Sequence, residues 1–153
     1  MRATAVPFCT TRGLLMNGKF LVAWLVTFIA WMAESVVVHG LLLQGEYAQM
    51  AALFRPEADA QNYFPIMLGA HVLLAGALVW IYRRGLTAGA AWTSQGLRFG
   101  LAIILLTIVP TYLIYYCVQP MPGAMVAKQI LFDGIGVVLV CLVVAWLYRE
   151  PTG

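Results

Sequence analysis

Histidine and acidic side chains interrupt the long apolar runs of this chain. Ionisable groups are costly to place inside a membrane, and they usually face other helices or a cavity rather than lipid. Two imidazoles with two carboxylates suit a divalent metal of the first transition row, and a carboxyl group within a membrane can also carry a proton. The sequence therefore predicts a polar pocket, whose candidate residues are Glu34, His39, His71, Tyr112, Gln129 and Asp133.

The spacing of these residues limits what the pocket could bind. At 100° per residue, Glu34 and His39 are about 140° apart on an α-helix, unlike a metal-binding pair at positions i and i+4. At 1.5 Å per residue, His39 and His71 differ in depth by about 8 Å, which disfavours a shared haem iron. No cofactor is therefore predicted, and metal or haem binding is an alternative.

Four apolar runs are long enough to hold these residues inside a membrane. The chain has 153 residues, of which 63% are hydrophobic and 10% charged, whereas about 25% of the residues in soluble domains are charged. A membrane-spanning helix needs about 20 apolar residues, and the four predicted spans are 20–43, 64–82, 97–118 and 126–148. Short connections favour an all-α, integral membrane, antiparallel four-helix bundle with up-down-up-down topology.

This bundle accounts for one domain, residues 20–149, with a tail at each end. The N-terminal tail is 1–19 and the C-terminal tail is 150–153. Met16 is an alternative start, which makes residues 1–15 a candidate extension upstream of the true start. No segment between the spans is long enough to fold as a separate soluble domain.

Basic residues predict how the spans are oriented. On one side of the spans lie seven of the nine Lys and Arg residues: Arg2, Arg12, Lys19, Arg83, Arg84, Arg98 and Arg149. The positive side faces the cytoplasm, so we expect a bacterial inner-membrane protein with cytoplasmic N- and C-termini. Glu34, His71 and Asp133 then lie about 4, 3 and 6 Å outward of their span centres, which concentrates polarity in the outer half.

The net charge of +3 is small, and it is distributed by topology rather than as a basic patch. Nucleic-acid binding therefore has no support. The expected partners are the lipid bilayer and either further copies of the chain or other membrane subunits. Gly96 and Gly100 have a spacing that permits close helix association, within one chain or between chains.

Small and polar residues share one face in three of the spans. In span one these are Ala23, Thr27, Ala30, Trp31, Glu34, Ser35 and His39; in span three, Gly100, Thr107, Thr111 and Tyr115; in span four, Gln129, Asp133, Gly136 and Val140. Such faces are where close packing and interhelical hydrogen bonds form. Pro110 is expected to kink span three. After span one, Tyr47 belongs to a helical pattern that Pro56 ends, which indicates a short amphipathic helix on the surface, a continuation of span one or a plain connection.

A purely structural role is the simplest competing interpretation of the polar residues. In it, Glu34 pairs with His71 or Lys128, and Asp133 pairs with Gln129 or a tyrosine, so that the polar groups specify helix pairing. The sequence has no phosphate loop and no recognisable catalytic motif, so an enzyme is not expected. Transport of a proton or small solute would require oligomers, because the inner half of the bundle is apolar.

Several short motifs accompany the four spans. They are Ala-Trp at the start of span one, Val-His-Gly-Leu-Leu at 38–42, Tyr-Leu-Ile-Tyr-Tyr at 112–116, Gln-Pro-Met-Pro-Gly at 119–123 and Ala-Trp-Leu-Tyr-Arg at 145–149. Over residues 16–149 the chain resembles uncharacterised small four-span bacterial inner-membrane proteins, and this resemblance implies no activity or site. We expect a multi-pass membrane protein of unknown molecular function, with an accessory subunit of a larger membrane complex as one interpretation. The alternative is a small transport or ligand- or metal-binding protein that uses the polar pocket.

Overall fold

The computed structural model describes residues 18–149, which are helical apart from short connections. The α-helices are α1 (Gly18–Ser35), α2 (Gln44–Gln49), α3 (Glu57–Arg84), α4 (Trp92–Ile103), α5 (Val109–Val118) and α6 (Gly123–Leu147). Two π-helical segments extend them: Val36–Leu42 continues α1, and Ile104–Ile108 joins α4 to α5. A 3₁₀ turn, Ala51–Leu53, follows α2.

Four helices are long and apolar enough to span a membrane: Gly18–Leu42, Ala58–Arg84, Trp92–Val118 and Gly123–Leu147. These are spans one to four below. The prediction of an all-helical chain with four long apolar helices is thereby confirmed for the described residues. The predicted tails 1–19 and 150–153 fall almost entirely outside them.

The second long helix begins earlier than the predicted start at residue 64. Pro56 directly precedes its first turn, and proline is well tolerated at the start of a helix. Asp59 then places a carboxylate in that turn, where the positive end of the helix dipole favours negative charge. Pro65, the second residue of the predicted span 64–82, lies inside α3.

Span one lies between two neighbours. Helix α1 packs against both α3 and α6, and the main partner of α4 is α6. The contacts therefore follow the order span two, span one, span four, span three. Helix α6 is the most buried of the four, since it is covered by spans on two sides.

The helix ends that carry Lys19, Arg83, Arg84, Arg98 and Arg149 are called the arginine end. Towards it, buried side chains from all four spans form the apolar core, which includes Phe20, Ala23, Val79, Tyr82, Ile103, Cys141, Val144 and Ala145. The rings of Tyr82 and Phe99 meet edge to face at 5.2 Å between centroids, which joins span two to span three. All four spans therefore contribute to this end.

Glycines allow the close helix contacts in the apolar core. A Cβ atom built on Gly96 would lie 2.9 Å from the Cβ of Ala145, and one on Gly100 would lie 3.1 Å from the Cα of Val138. A side chain at Gly96 would therefore force Ala145 to shift, and one at Gly100 would require its neighbours to move by a few tenths of an ångström. From the sequence, the spacing of Gly96 and Gly100 permits close helix association either within one chain or between chains. The structure uses it within the chain, between spans three and four.

Span two is packed along only part of its length. Its buried residues, Ala75, Gly76, Leu78, Val79 and Tyr82, all lie in the second half of α3, whereas every residue from 60 to 70 is exposed. The indole of Trp24 fixes the packed half, because its Nε1–H donates to the carbonyl of Val72 at 2.8 Å. The first half of span two therefore lies apart from the other spans.

The π-helical segment in span three changes which residues face α6. A π-helix bonds residue i to i+5, so the segment rotates the residues after it by about 100° relative to an α-helix. Ile108 and Tyr112 consequently pack inwards, whereas Thr111 is exposed and Tyr115 is 46% exposed. The predicted stripe through Thr111 and Tyr115 is therefore wrong.

Candidate functional site

Polar side chains from four helical elements meet at the end of span one opposite to the arginine end. This polar cluster consists of Glu34, His39, Tyr47, Tyr112, Gln129 and Asp133. A second apolar group, Val38, Leu43, Met121, Met125 and Val126, packs beside it and holds the ends of spans one and four together. The helix ends that carry the cluster are called the polar end.

Asp133 is the centre of the polar cluster. It is 6% exposed, and one carboxylate oxygen, Oδ2, accepts a hydrogen bond from the hydroxyl of Tyr112. The other, Oδ1, lies 3.4 Å from Nε2 of His39. Asp133 thus joins spans one, three and four through a single carboxyl group.

Tyr47 forms the second junction of the cluster. Its hydroxyl accepts from Nε2 of Gln129 at 3.1 Å and lies 2.7 Å from Nδ1 of His39. The hydroxyl of Tyr47 can donate its own proton to Nδ1 of His39 or accept from it, depending on the imidazole tautomer. In the tautomer in which Nδ1 accepts, the ring proton lies on Nε2, which faces Asp133.

Two hydrogen bonds of the cluster have a fixed direction: Gln129 donates to Tyr47, and Tyr112 donates to Asp133. His39 connects them, since its Nδ1 bonds the hydroxyl of Tyr47 and its Nε2 lies within ion-pair distance of Asp133. Burial raises the pKa of Tyr47, which the Gln129 hydrogen bond lowers in part and the charge of Asp133 raises further. Tyr47 therefore remains a hydroxyl donor at neutral pH.

An ion pair lies at the rim of the cluster. The ammonium group of Lys128 donates to the carboxylate of Glu46, and this hydrogen bond is the main reason why the pKa of Glu46 is lowered. The side chain of His39 is 36% exposed. The cluster is therefore open to its surroundings through His39, next to a charged rim.

Glu34 lies about one helical turn deeper. Its Oε1 atom is buried and has no hydrogen-bond partner among the described residues. The carboxyl group packs against the backbone of Gly136, where any Cβ atom would overlap it. Gly136 follows Asp133 by three residues, a rise of about 4.5 Å, so both acids face the same side of α6.

Glu34 also borders a groove between spans one and four. The groove has a volume of about 360 Å³, and apolar side chains such as Ala33, Val37 and Leu139 line it. Its wall contains almost no polar surface apart from this carboxyl group. An acid without a hydrogen-bond partner therefore stands between the polar cluster and an apolar surface.

The structure separates His71 from the other candidate residues. Its Nδ1 bonds the carbonyl of Met67 in its own helix at 2.9 Å, and it lies at the boundary of the unpacked half of span two. The suggested pairs of Glu34 with His71 or Lys128 are therefore wrong, because Lys128 pairs with Glu46 instead. The suggested pairing of Asp133 with a tyrosine is correct.

The geometry gives the metal interpretation no support. Among residues 18–149, no three His, Cys, Asp or Glu side chains converge in a way that could hold a metal ion. The two histidines make separate contacts, His39 with Tyr47 and Asp133 and His71 with Met67.

Sequence reasoning did not include Tyr47 in the pocket. The spacing around Tyr47 predicts a helix, and α2 is helical, but spacing does not indicate that this helix folds back over span four. The missing information is the π-helical segment Val36–Leu42, which brings His39 and the following chain towards α6. Such segments are rare and frequently occur at functional sites.

The fold defines a class: a helical protein with four helices capable of crossing a membrane and a polar cluster between three of them. Comparison with known proteins adds no narrower assignment, because the chain matches no protein-family model, no curated protein and no solved structure.

Proposed function

We propose that the chain is a multi-pass membrane protein that binds a proton in one half of the bilayer and exchanges it with the nearer aqueous phase. The observation that carries this proposal is the continuous series of side-chain contacts that leads from Gln129 through Tyr47 and His39 to Asp133. Glu34, one turn deeper and without a hydrogen-bond partner, is the inner end of this relay.

Charge supports a proton as the bound species. Two carboxylates within one turn of each other repel strongly in a medium of low dielectric constant. Glu34 and Asp133 therefore favour a state in which they share one negative charge and one proton. Inserting a carboxyl group near mid-membrane costs about 2.5 kcal/mol or more, whereas a membrane hydrogen bond contributes about 0.6 kcal/mol on average. Helix pairing alone does not offset that cost.

The proton is transferred in three balanced steps. His39, which is partly exposed, takes a proton from water and becomes an imidazolium ion paired with Asp133. It then releases its Nε2 proton to Oδ1 of Asp133, which leaves the neutral tautomer whose proton lies on Nδ1 and is donated to the hydroxyl of Tyr47. Movement of the proton from Asp133 to Glu34 carries it to the apolar groove.

The relay is one-sided. Between Glu34 and the arginine end, Thr27 is the buried polar side chain of span one, and its hydroxyl has no partner among the described residues. Thr27 precedes Glu34 by seven residues, about 10.5 Å along the helix, which is too far for direct transfer. The single chain therefore exchanges protons with one aqueous phase.

The orientation follows from the basic residues. We place the arginine end in the cytoplasm and the polar end outside, with both termini cytoplasmic and the spans antiparallel in a bacterial inner membrane. The positive-inside rule supports this arrangement, and so does the contact of the end of span one with the beginning of span four. The relay then opens to the periplasmic side.

An accessory subunit in a larger membrane complex is the second candidate. The first half of span two favours it, because residues 60–70 are exposed on every face. Helices of another subunit or of a second copy could pack there as well as lipid. The mass of the particle in detergent, measured by light scattering, tests this candidate: a mass of one chain would contradict a stable homo-oligomer.

Infrared difference spectroscopy of the protein in liposomes tests the relay. We expect a carboxylic acid C=O band that disappears on titration to high pH. Glu34→Gln and Asp133→Asn should each remove or shift this band. Asp59→Asn is the matched control, since Asp59 pairs with Arg55 outside the cluster. A titrating band that is unchanged in both cluster variants would overturn the proposal.

A further inference from the structure

The arginine end contains a basic pocket that the proton relay does not use. The loop between α3 and α4 is held by Gln95, whose Oε1 accepts from the amide of Thr87 at 2.9 Å and whose Nε2 donates to the carbonyl of Ala90 at 3.0 Å. Gly89 makes the turn with a φ of 73°, a conformation in which glycine is favoured. The loop is therefore fixed in place by a side chain of span three.

Two adjoining lobes lie beside this loop. One has a volume of about 460 Å³ and is bordered by Trp92, Tyr148 and Arg149. The other has a volume of about 350 Å³ and is bordered by Ser94 and Arg98. Tyr82, Thr87, Ala90 and Gln95 border both. Each lobe thus has one arginine, and a common wall connects the two.

The charge around these lobes is uncompensated within the described residues. Residues 18–149 contain the acids Glu34, Glu46, Glu57, Asp59 and Asp133, and none belongs to the arginine end. Glu150, which follows Arg149, lies outside the described residues. Arg98 makes no ion pair with any residue that the structure describes. The two lobes therefore favour an anion.

The surroundings indicate a lipid rather than a free ion. Leu97, Leu101 and Leu105 are more than half exposed and continue along span three from the lobe of Arg98. They offer an apolar surface on which an acyl chain can lie. Lys19, Arg84 and Arg149 stack on aromatic rings, an arrangement typical of the membrane interface. A phosphate held at Arg98 would place its acyl chains beside these leucines.

We propose that the two lobes at the arginine end bind the phosphate head group of an anionic phospholipid from the adjacent leaflet. Arg98 donates to the phosphate oxygens in one lobe, and Arg149 supplies the second positive charge. Basic pockets between membrane helices bind anionic head groups in this way. The inference rests on the membrane insertion proposed above and on no residue of the polar cluster.

Native mass spectrometry of the protein in detergent, with added phosphatidylglycerol or phosphatidylcholine, tests the proposal. We expect preferential binding of phosphatidylglycerol, reduced about fivefold in Arg98→Gln and in Arg149→Gln, since one basic residue contributes about 1 kcal/mol to such binding. Arg84→Gln is the matched control: Arg84 stacks on Trp80 at 3.5 Å and borders neither lobe, so this variant should retain affinity within about twofold.

Three results would overturn the assignment. The first is equal binding of the two lipids by the wild type. The second is an equal loss of binding in Arg84→Gln and Arg98→Gln, which would indicate general surface charge instead of a site. The third is displacement of phosphatidylglycerol by millimolar inorganic phosphate, which would make the free ion the ligand. If the relay experiment failed, so that neither Glu34→Gln nor Asp133→Asn changed the infrared band, these lipid-binding measurements would be unaffected.

Discussion

The two ends of the helices are held together by different chemistry. In the apolar core towards the arginine end, Cys141, Val144 and Ala145 are completely buried, and glycines bring spans three and four into contact. Buried polar atoms without hydrogen-bond partners occur at both ends, but they are hydroxyls of Tyr82 and Tyr148 at the arginine end and carboxylate and amide oxygens of Glu34, Gln129 and Asp133 at the polar end. The difference indicates that apolar packing stabilises the arginine end, while the polar end keeps carboxyl groups whose burial lowers stability.

The largest effect should come from filling a helix contact in the apolar core. Gly96→Val places a side chain against Ala145 and the backbone of Leu142, so we expect a loss of about 1–3 kcal/mol in the free energy of unfolding. Gly69→Val is the control, because a Cβ there meets nothing within 4 Å. Unfolding in mixed micelles measures both, and equal losses would show that helix propensity, not packing, explains the result.

The effect of a substitution at Gly136, between the two ends, should depend on which residue occupies position 34. Gly136→Ala directs a methyl group into the carboxyl group of Glu34, and we expect a loss of about 1 kcal/mol or more. In a Glu34→Ala background the same change should cost much less, because the space is then free. A double-mutant cycle measures this coupling, expected at about 0.5–3 kcal/mol. Additive effects would mean that Glu34 does not lie against Gly136.

Removing one hydrogen bond from the polar cluster should lower the free energy of unfolding less than Gly96→Val or Gly136→Ala does. Tyr112→Phe keeps the ring and removes the donor to Asp133, so we expect a loss of about 0.6 kcal/mol, with about 1.7 as the upper bound. The exposed Tyr115 provides the control, since Tyr115→Phe should leave stability unchanged. A loss in Tyr112→Phe as large as that in Gly96→Val would contradict the distinction between the two ends.

Much of the helical framework could be predicted from composition and periodicity. The four apolar helices follow from run length, and the face of span four is confirmed, because Gln129, Asp133, Gly136 and Val140 are all buried. On span one, Leu25 and Ile29 lie outside the face of small and polar residues, and both are exposed. These results depend only on the regular repeat of an α-helix, which holds along α6 and the first part of α1.

The candidate site was less predictable, because spans one and three, which both pack against α6, each change from α-helix to π-helix along their length. The angle of about 140° between Glu34 and His39 assumes 100° per residue, whereas Val36–Leu42 is π-helical. The same assumption placed Thr111 and Tyr115 on the packed face of span three. His71 was assigned by depth alone, and depth does not reveal that the first half of span two lies apart. The assignment of a function to the pocket stays a prediction.

The smallest effect concerns the ion pair at the rim of the polar end. The hydrogen bond from Lys128 lowers the pKa of Glu46 in the folded protein, so Glu46 stabilises the fold above its unfolded pKa of about 4.3. This contribution declines as the pH falls through the folded pKa. Glu46→Gln should therefore lower the unfolding temperature slightly at pH 7, and the difference from the wild type should vanish in acid.

Salt should weaken the same contribution, because exposed charges are screened. Lys128→Gln is the matched variant and should show the same dependence on pH and salt. The arginine end has no such pair among the described residues, so Arg98→Gln should leave the acid dependence of unfolding unchanged. If Glu46→Gln differed from the wild type by the same amount at pH 3 and pH 7, the rim of the polar end would be held by contacts other than this ion pair.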